Sequence, residues 1–396
     1  MAHAYPMIAA MFQIEGHATI DCLVDAGGAL TNCAAIDEAP KSLGFGAAAV
    51  SMASAFHMRP KTVDGVSVAG GDVRIPIRFA LPIGSAPESP PALQDPPPPS
   101  QQAIDLARRV LVAGDFTGYI RQKYKRLAEI VTSSGSPGVT LETRQRGAAA
   151  FQDAATAITT KEFEAAASLL AGYEPEDALT ADAAFFESTV GQNYRAKRGK
   201  ISAAAAKRLK PNQDRFHQAM RCGWSPDKNC LEAPPALTQQ PAASANPEQL
   251  SLAQAIATAD TTAMMGIVGS YEKMIAAVPE TRRAALKEAV DAFVLAARVA
   301  EADAYADEFT APELQAILAY KKGPGGRFEF EGATKLNMAF RRLELRFDQM
   351  VMADAKRQFC PGDTCSARLA APVASTTEKE IDVPARSNLI PPFNSR

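Results

Sequence analysis

Apolar and polar positions change their rhythm along the chain. From His17 to Val24 they alternate, with Ala18, Ile20, Cys22 and Val24 on one face. A period of two marks a half-buried strand. Asp25-Ala-Gly-Gly28 reads as a turn, and Leu30 to Ile36 returns as the second strand of a hairpin. Val73-Arg-Ile-Pro-Ile-Arg-Phe79 alternates strictly, turning Val73, Ile75, Ile77 and Phe79 to a core and Arg74, Pro76 and Arg78 away from it. Two helical stretches accompany these strands. Tyr5-Pro6 opens the first, with Met7, Met11 and Ile14 on one face and Gly16 ending it. Leu43 to Phe56 forms the second, with Ala49, Met52, Ala53 and Phe56 on one face and Pro60 as its stop. Asp64-Gly65 is a further turn.

After residue 83 the pattern is different. Residues 84–101 carry four consecutive prolines, Pro96 to Pro99, and read as a polyproline II linker. At about 3.1 Å per residue it would reach roughly 50 Å. Residues 102–230 are Ala-rich with helical spacing, 231–249 form a second linker, and 250–365 are helical again. Residues 366–396 read as a disordered tail. Between Thr281 and Phe309, the positions Leu286, Val290, Phe293, Ala297 and Ala300 share one helical face. The polar face is not strongly basic, so this helix packs on neighbours instead of lying on a membrane.

The two helical blocks share ordered matches. Pro90-Pro-Ala-Leu-Gln precedes the first and Pro234-Pro-Ala-Leu-Thr-Gln the second. Phe185 to Tyr194 corresponds to Ala319 to Phe328, and Arg215-Phe-His-Gln to Arg346-Phe-Asp-Gln. Each block closes with a cysteine pair. This order argues for tandem duplication.

Composition narrows the function. The chain has 396 residues and a net charge of −2, which gives no reason to expect nucleic acid or an anionic membrane as main partner. No apolar run approaches the roughly 18 residues of a membrane span. The six cysteines fall into three close pairs, Cys22/Cys33, Cys222/Cys230 and Cys360/Cys365. Such pairs suggest disulfides and an oxidising compartment such as the periplasm. A hairpin loop of Ala26 to Ala29 sets Cys22 directly opposite Cys33, and closing that loop is worth about 3 kcal/mol. The opening Met1-Ala-His-Ala-Tyr-Pro shows no basic stretch followed by an apolar one. The expectation is therefore an export signal or anchor lying upstream, or a mature form.

Pro76 has no N–H to give to a ladder, so Val73–Phe79 is expected at a sheet edge. An incoming peptide could pair with the outward backbone groups of residues 74, 76 and 78, and the two arginines would favour an acidic or carboxylate-bearing one. Proline and charge also protect edges from aggregation, and the residues alone favour that plainer reading.

The ordered string of Tyr-Pro helix, Val24-Asp-x-x-Gly28 turn, small-residue helix, Asp64-Gly65 and Val73-x-Ile-Pro-Ile-x-Phe79 resembles the C-terminal domain of TonB-family energy transducers over about residues 1–83. Cys22 and Cys33, with Glu38-Ala-Pro40 and Gly44-Phe-Gly46, look like a subgroup carrying a hairpin disulfide. The resemblance implies a two-layer α+β fold ahead of two all-α domains. It also implies that Val73–Phe79 takes up the TonB box of an outer-membrane receptor. A transducer of that family places a membrane helix and a Pro-rich spacer before this domain, whereas here the domain precedes the Pro-rich segment. The helical blocks resemble, through Phe309-Thr-Ala-Pro-Glu-Leu314 and Phe185-Phe-Glu-Ser-Thr-Val-Gly191, an exported all-helical domain family of unknown function.

Other constellations carry less. Gly323-Pro-Gly-Gly326 lacks the Gly-Lys-Ser/Thr ending of a phosphate loop and reads as a helix break. The cysteine spacings suit local disulfides better than zinc. His3, His17, His57 and His217 have no metal-binding spacing, and no nucleophile motif is found. Arg121, Lys123, Lys125 and Arg126 read as a solvated helix face, and Trp224 as packing under the Cys222/Cys230 loop. The expected protein is thus a periplasmic, non-enzymatic binding module without cofactor or metal. Its expected partner is a TonB-dependent outer-membrane receptor or another envelope protein. The alternative is an envelope scaffold or adaptor whose edge strand pairs with a second copy or another protein and transduces no energy.

Overall fold

A computed structural model describes residues 5–81, 96–224, 246–260, 278–331, 333–362 and 381–384, with the single positions 271, 275, 276 and 365. Most of both expected linkers, and Cys230, lie outside these residues. The chain forms two compact units, each drawn from separate stretches of sequence. The first comprises Met1–Ala92, Thr117–Phe163 and Arg341–Ser395, and the second chiefly Leu93–Phe116 and Glu164–Phe340.

The first unit contains the sheet. Helix α1 (Met7–Met11) leads into β1 (Gly16–Val24), β2 (Leu30–Ala39), α2 (Phe45–Met52), the small ribbon β3 (Lys61–Val63) and β4 (Val66–Val68), and β5 (Gly71–Ala80). A late strand, β6 (Ile381–Pro384), completes the sheet in the order β2-β1-β5-β6. The alternation of β1 is seen directly: Ala18, Ile20, Cys22 and Val24 are buried and the residues between them are not. Ile75, Ile77 and Phe79 of β5 are buried on the same side. Helix α2 packs on β1 and β2. Tyr5, Phe45 and Phe79 close the core, with ring centroids 5.1 to 6.0 Å apart. The two-layer α+β expectation holds, and the region after it is helical.

Three local expectations need correction. Helix α1 ends at Met11, and Ile8, not Met7, is buried beside Met11. Gly16 starts β1, paired with Phe79, instead of ending a helix, and glycine is needed there because a Cβ would lie 2.3 Å from the Phe45 ring. In the hairpin, Asp21 partners Ala34 and Leu23 partners Thr31. Asn32 and Cys33 therefore both face Cys22 across a bulge, with Asn32 at φ 52° absorbing the extra residue. The Cys22–Cys33 disulfide forms across that bulge.

The helices of this unit are α4 (Phe116–Ser133), the first part of α5 (Leu141–Tyr173) and most of α12 (Ala333–Phe359). They share a core with the sheet domain. Phe12 stacks on Phe359 at 4.5 Å and leans on Phe151 at 4.7 Å. Lys356 donates to the carbonyl of Gln13. Cys360, just after α12, is bonded to Cys365.

A polar knot lies between these helices. Lys123 pairs with Asp348, which also accepts from the Tyr124 hydroxyl at 2.8 Å. Glu162, 1 % exposed, is pushed up to about 7 by burial, with the Lys123 charge opposing the shift. Its folded value lies above the unfolded one, so the folded chain binds the extra proton. Stability from this group is highest near pH 4.5 and falls as pH rises to about 7. Glu162→Gln should leave stability near pH 5 almost unchanged and raise it at pH 8 by up to about 3 kcal/mol. Denaturant titrations of both proteins at the two pH values check this, since other titrating groups cancel in the comparison. Equal differences at both pH values would show that the carboxyl is not held protonated.

The second unit is all helical. It contains α3 (Gln101–Ala113), the rest of α5, α6 (Glu176–Glu187), α7 (Thr189–Trp224), α8 (Pro247–Asp260), α9 (Glu280–Glu308), α10 (Ala311–Lys322), α11 (Pro324–Glu331) and the start of α12. Helix α7 packs on α9, and α8 on α9 and α10. Thr310 and Glu313 form a reciprocal capping box at the start of α10. Phe185 stacks on Tyr320 at 3.9 Å with rings 4° from parallel, and Tyr194, Tyr305 and Phe309 continue the aromatic core.

These packing units cut across the boundaries expected from sequence, because helices from both blocks interleave in each. The expected boundaries concern descent and the units concern contact. The tail also differs from its disordered reading: Ile381–Pro384 is a strand.

Candidate functional site

The outer edge of β5 is the candidate site. Strand β5 runs antiparallel to β1, with Pro76 opposite Thr19 and Ile77 opposite Ala18. Its core-facing side chains anchor it, while Arg74, Pro76 and Arg78 occupy the other face. Arg74 is exposed and lies 3.8 Å from Asp21, its cross-strand partner. An exposed pair at that distance contributes roughly 0–1 kcal/mol, so Arg74 remains available to a ligand.

Away from β1, β5 meets β6 in parallel: Ile77 partners Ile381, Arg78 Asp382, Phe79 Val383 and Ala80 Pro384. The ladder starts at Ile77, one residue after Pro76, which has no N–H to give, and ends at Pro384. The predicted stretch Val73–Phe79 is therefore one continuous strand whose outer side is covered from Ile77 onward by the chain's own tail. Sequence reasoning missed this. The signal was the Ile381-Asp-Val383 alternation stopped by Pro384, hidden in a polar, Pro-containing segment.

The second unit gathers acidic groups that are far apart in sequence. A cavity of about 850 Å³ is lined by Glu174, Asp182, Asp260, Glu301, Tyr305 and Lys321, among others. Asp260 pairs with Lys321 at 2.7 Å and accepts from Tyr305 at 2.8 Å, while Asp182 accepts from Tyr320 at 3.1 Å. Glu301 is pushed up to about 7, first by burial and then by Asp260, against the Lys321 charge. No sequence motif announces this grouping.

Among the described residues no three metal-binding side chains converge, and no helix is long and apolar enough to cross a membrane. Of the remaining cysteines, Cys222 near the end of α7 is disulfide-bonded.

The fold is a small two-layer module whose last N-terminal strand, β5, carries a further strand on its outer edge. Residues 1–81 match the family described as Gram-negative bacterial TonB protein C-terminal, which is a family of protein-interaction domains of the cell envelope. The resemblance read from the sequence is thus borne out over those residues. The chain is also similar to an uncharacterized protein of Caulobacter vibrioides, 41% identical over 64 residues. That alignment covers 16% of this chain and 64% of the relative's length. No solved structure matches the chain.

Proposed function

We propose that this protein is an envelope module that captures an extended peptide as an added strand on the outer edge of β5, with the TonB box of an outer-membrane receptor as its ligand class. The supporting observation is that this edge accepts a further strand, in parallel, beside two arginines on the solvent face. Backbone pairing supplies affinity, and Arg74 and Arg78 select for acidic or carboxylate-bearing partners. The helical part, on this reading, is a duplicated interaction region. Helices α6 and α10 both have 12 residues. Phe185 and Tyr320 are the tenth residue of each, one position out of step with the sequence match of Phe185 to Ala319, and one extended residue, Ser188 or Gly323, follows before the next helix.

Calorimetric titration of the full chain with TonB-box peptides tests the proposal. Arg74→Glu with Arg78→Glu should leave the fold intact and weaken binding at least about tenfold, roughly what two charge-assisted contacts contribute. Binding untouched by the double reversal would remove the arginines from the site. Absence of binding to any such peptide, with the tail strand intact or broken, would favour the scaffold reading.

A further inference from the structure

We infer that the C-terminal segment Ile381–Pro384 is a tethered occupant of the peptide-binding edge, and that an external peptide binds by displacing it. The inference rests on the proposed function for the identity of the edge, but the contact itself stands on the strand pairing.

Several observations converge on this segment. Its four residues pair with Ile77–Ala80, which includes Ile77, Arg78 and Phe79 of the stretch predicted to receive a ligand. The pairing is parallel and places an acidic residue, Asp382, in register with Arg78. Asp382 is thus a residue of the type the edge was expected to select. Branched Ile381 and Val383 flank that acid, residues suited to an extended strand. Pro384 has no N–H with which to extend the ladder, so the contact is short by construction. It also leaves Gly71–Pro76 of β5 with β1 as strand partner, giving an incoming peptide a place to start.

The tether sets how strong the block is. The occupant is joined through residues 366–380 to Cys365, which is fixed to Cys360 at the end of α12 in the same unit. A short tether holds a segment at an effective concentration on the order of millimolar. Four ladder pairs alone give weak affinity, also of about millimolar order. The two magnitudes are comparable, so the tail is a weak gate and not a lock. It excludes poor ligands and yields to longer strands that also engage residues 73–76. The ligand class follows: an extended peptide running parallel to β5, with apolar branched residues around an acidic one, and longer than the tail.

The test uses the full chain and the variant Val383→Pro, which removes a backbone donor from the middle of the ladder while leaving every helix untouched. Hydrogen exchange at Arg78 and Ala80, whose N–H groups point away from β1, reads the contact directly. These amides should exchange faster in the variant, with α12 unchanged. Equal protection in both proteins would overturn the inference, whatever external peptides do. Titration with a TonB-box peptide reads the competition, and affinity should rise about 2- to 10-fold in the variant. Equal affinity in the two proteins would also overturn it. If neither protein binds the peptide but exchange still rises in the variant, the tail contact stands and the receptor-peptide reading falls. A charge swap adds a control: Asp382→Arg should open the edge like the proline, and Asp382→Arg combined with Arg78→Asp should restore protection.

Discussion

Replacing Ile77 by aspartate should unfold the sheet and the helices of the first unit in one transition. Ile77 is fully buried in β5, opposite Ala18, with Phe79 and Ile75 on the same face. A carboxylate there would lose its water without gaining a partner. An unpaired buried charge carries a penalty of several kcal/mol, against a total stability of roughly 5–15 kcal/mol for a typical domain. The helices should follow because Phe12 of the sheet domain is packed between Phe151 and Phe359. Circular dichroism on heating, read beside hydrogen exchange at the β1 amides and at the α4 and α12 amides, checks both parts. Loss of the sheet with α4 and α12 still protected would show that the shared ring contacts do not couple the two.

The second large effect is at Gly191 and Gly326. Each is the third residue of its helix, α7 and α11. An alanine Cβ at Gly191 would lie 1.9 Å from the carbonyl oxygen of Phe185, and at Gly326 2.5 Å from the Cα of Lys321. Two effects oppose each other. Glycine to alanine inside a helix normally stabilises by about 1 kcal/mol. Here the clash is with backbone, which cannot rotate away, and overpacking of this kind costs about 1–3 kcal/mol or more. The clash should win at both sites. For a unit of this size each kcal/mol lowers the melting temperature by about 2–4 °C. Thermal unfolding of Gly191→Ala and Gly326→Ala should therefore show clear losses. Gly199→Ala, where no atom lies within 4 Å of the new Cβ, is the matching control and should be neutral or stabilising. A loss at one of the two glycines and a gain at the other would argue against equivalent roles in a duplicated frame.

The two-layer module was legible because its cues are local. Ala18, Ile20, Cys22 and Val24 repeat every second residue, and Asp64-Gly65 fills a tight turn with both residues at positive φ. The Cys22–Cys33 bond was legible too, but the bulge at Asn32 was not, since one extra residue leaves the polar pattern of an exposed strand unchanged. Met7 and Ile8 are both apolar, so periodicity over a single turn could not choose between them. The mixing of helices from both blocks was not legible, because Ala-rich surfaces fit many partners. The cavity acids come from α6, α8, α9 and the residue after α5, and only folding brings Asp182 beside Tyr320. Strand β6 was missed for a simpler reason: four residues carry too little pattern to stand out from a Pro-rich tail.

Phe12 bears on whether the binding module can be transplanted. The match to the TonB-type family ends at residue 81, which suggests a convenient place to cut. Cutting there would take both Phe151 and Phe359 away from the Phe12 ring, a loss of up to about 2–3 kcal/mol, and would remove the donor to the Gln13 carbonyl. A fragment so made would be a weakened relative of the native module, missing both the neighbours that steady its first helix and the strand that pairs with its edge. Grafted onto another protein, it would stand up less well than it does at home.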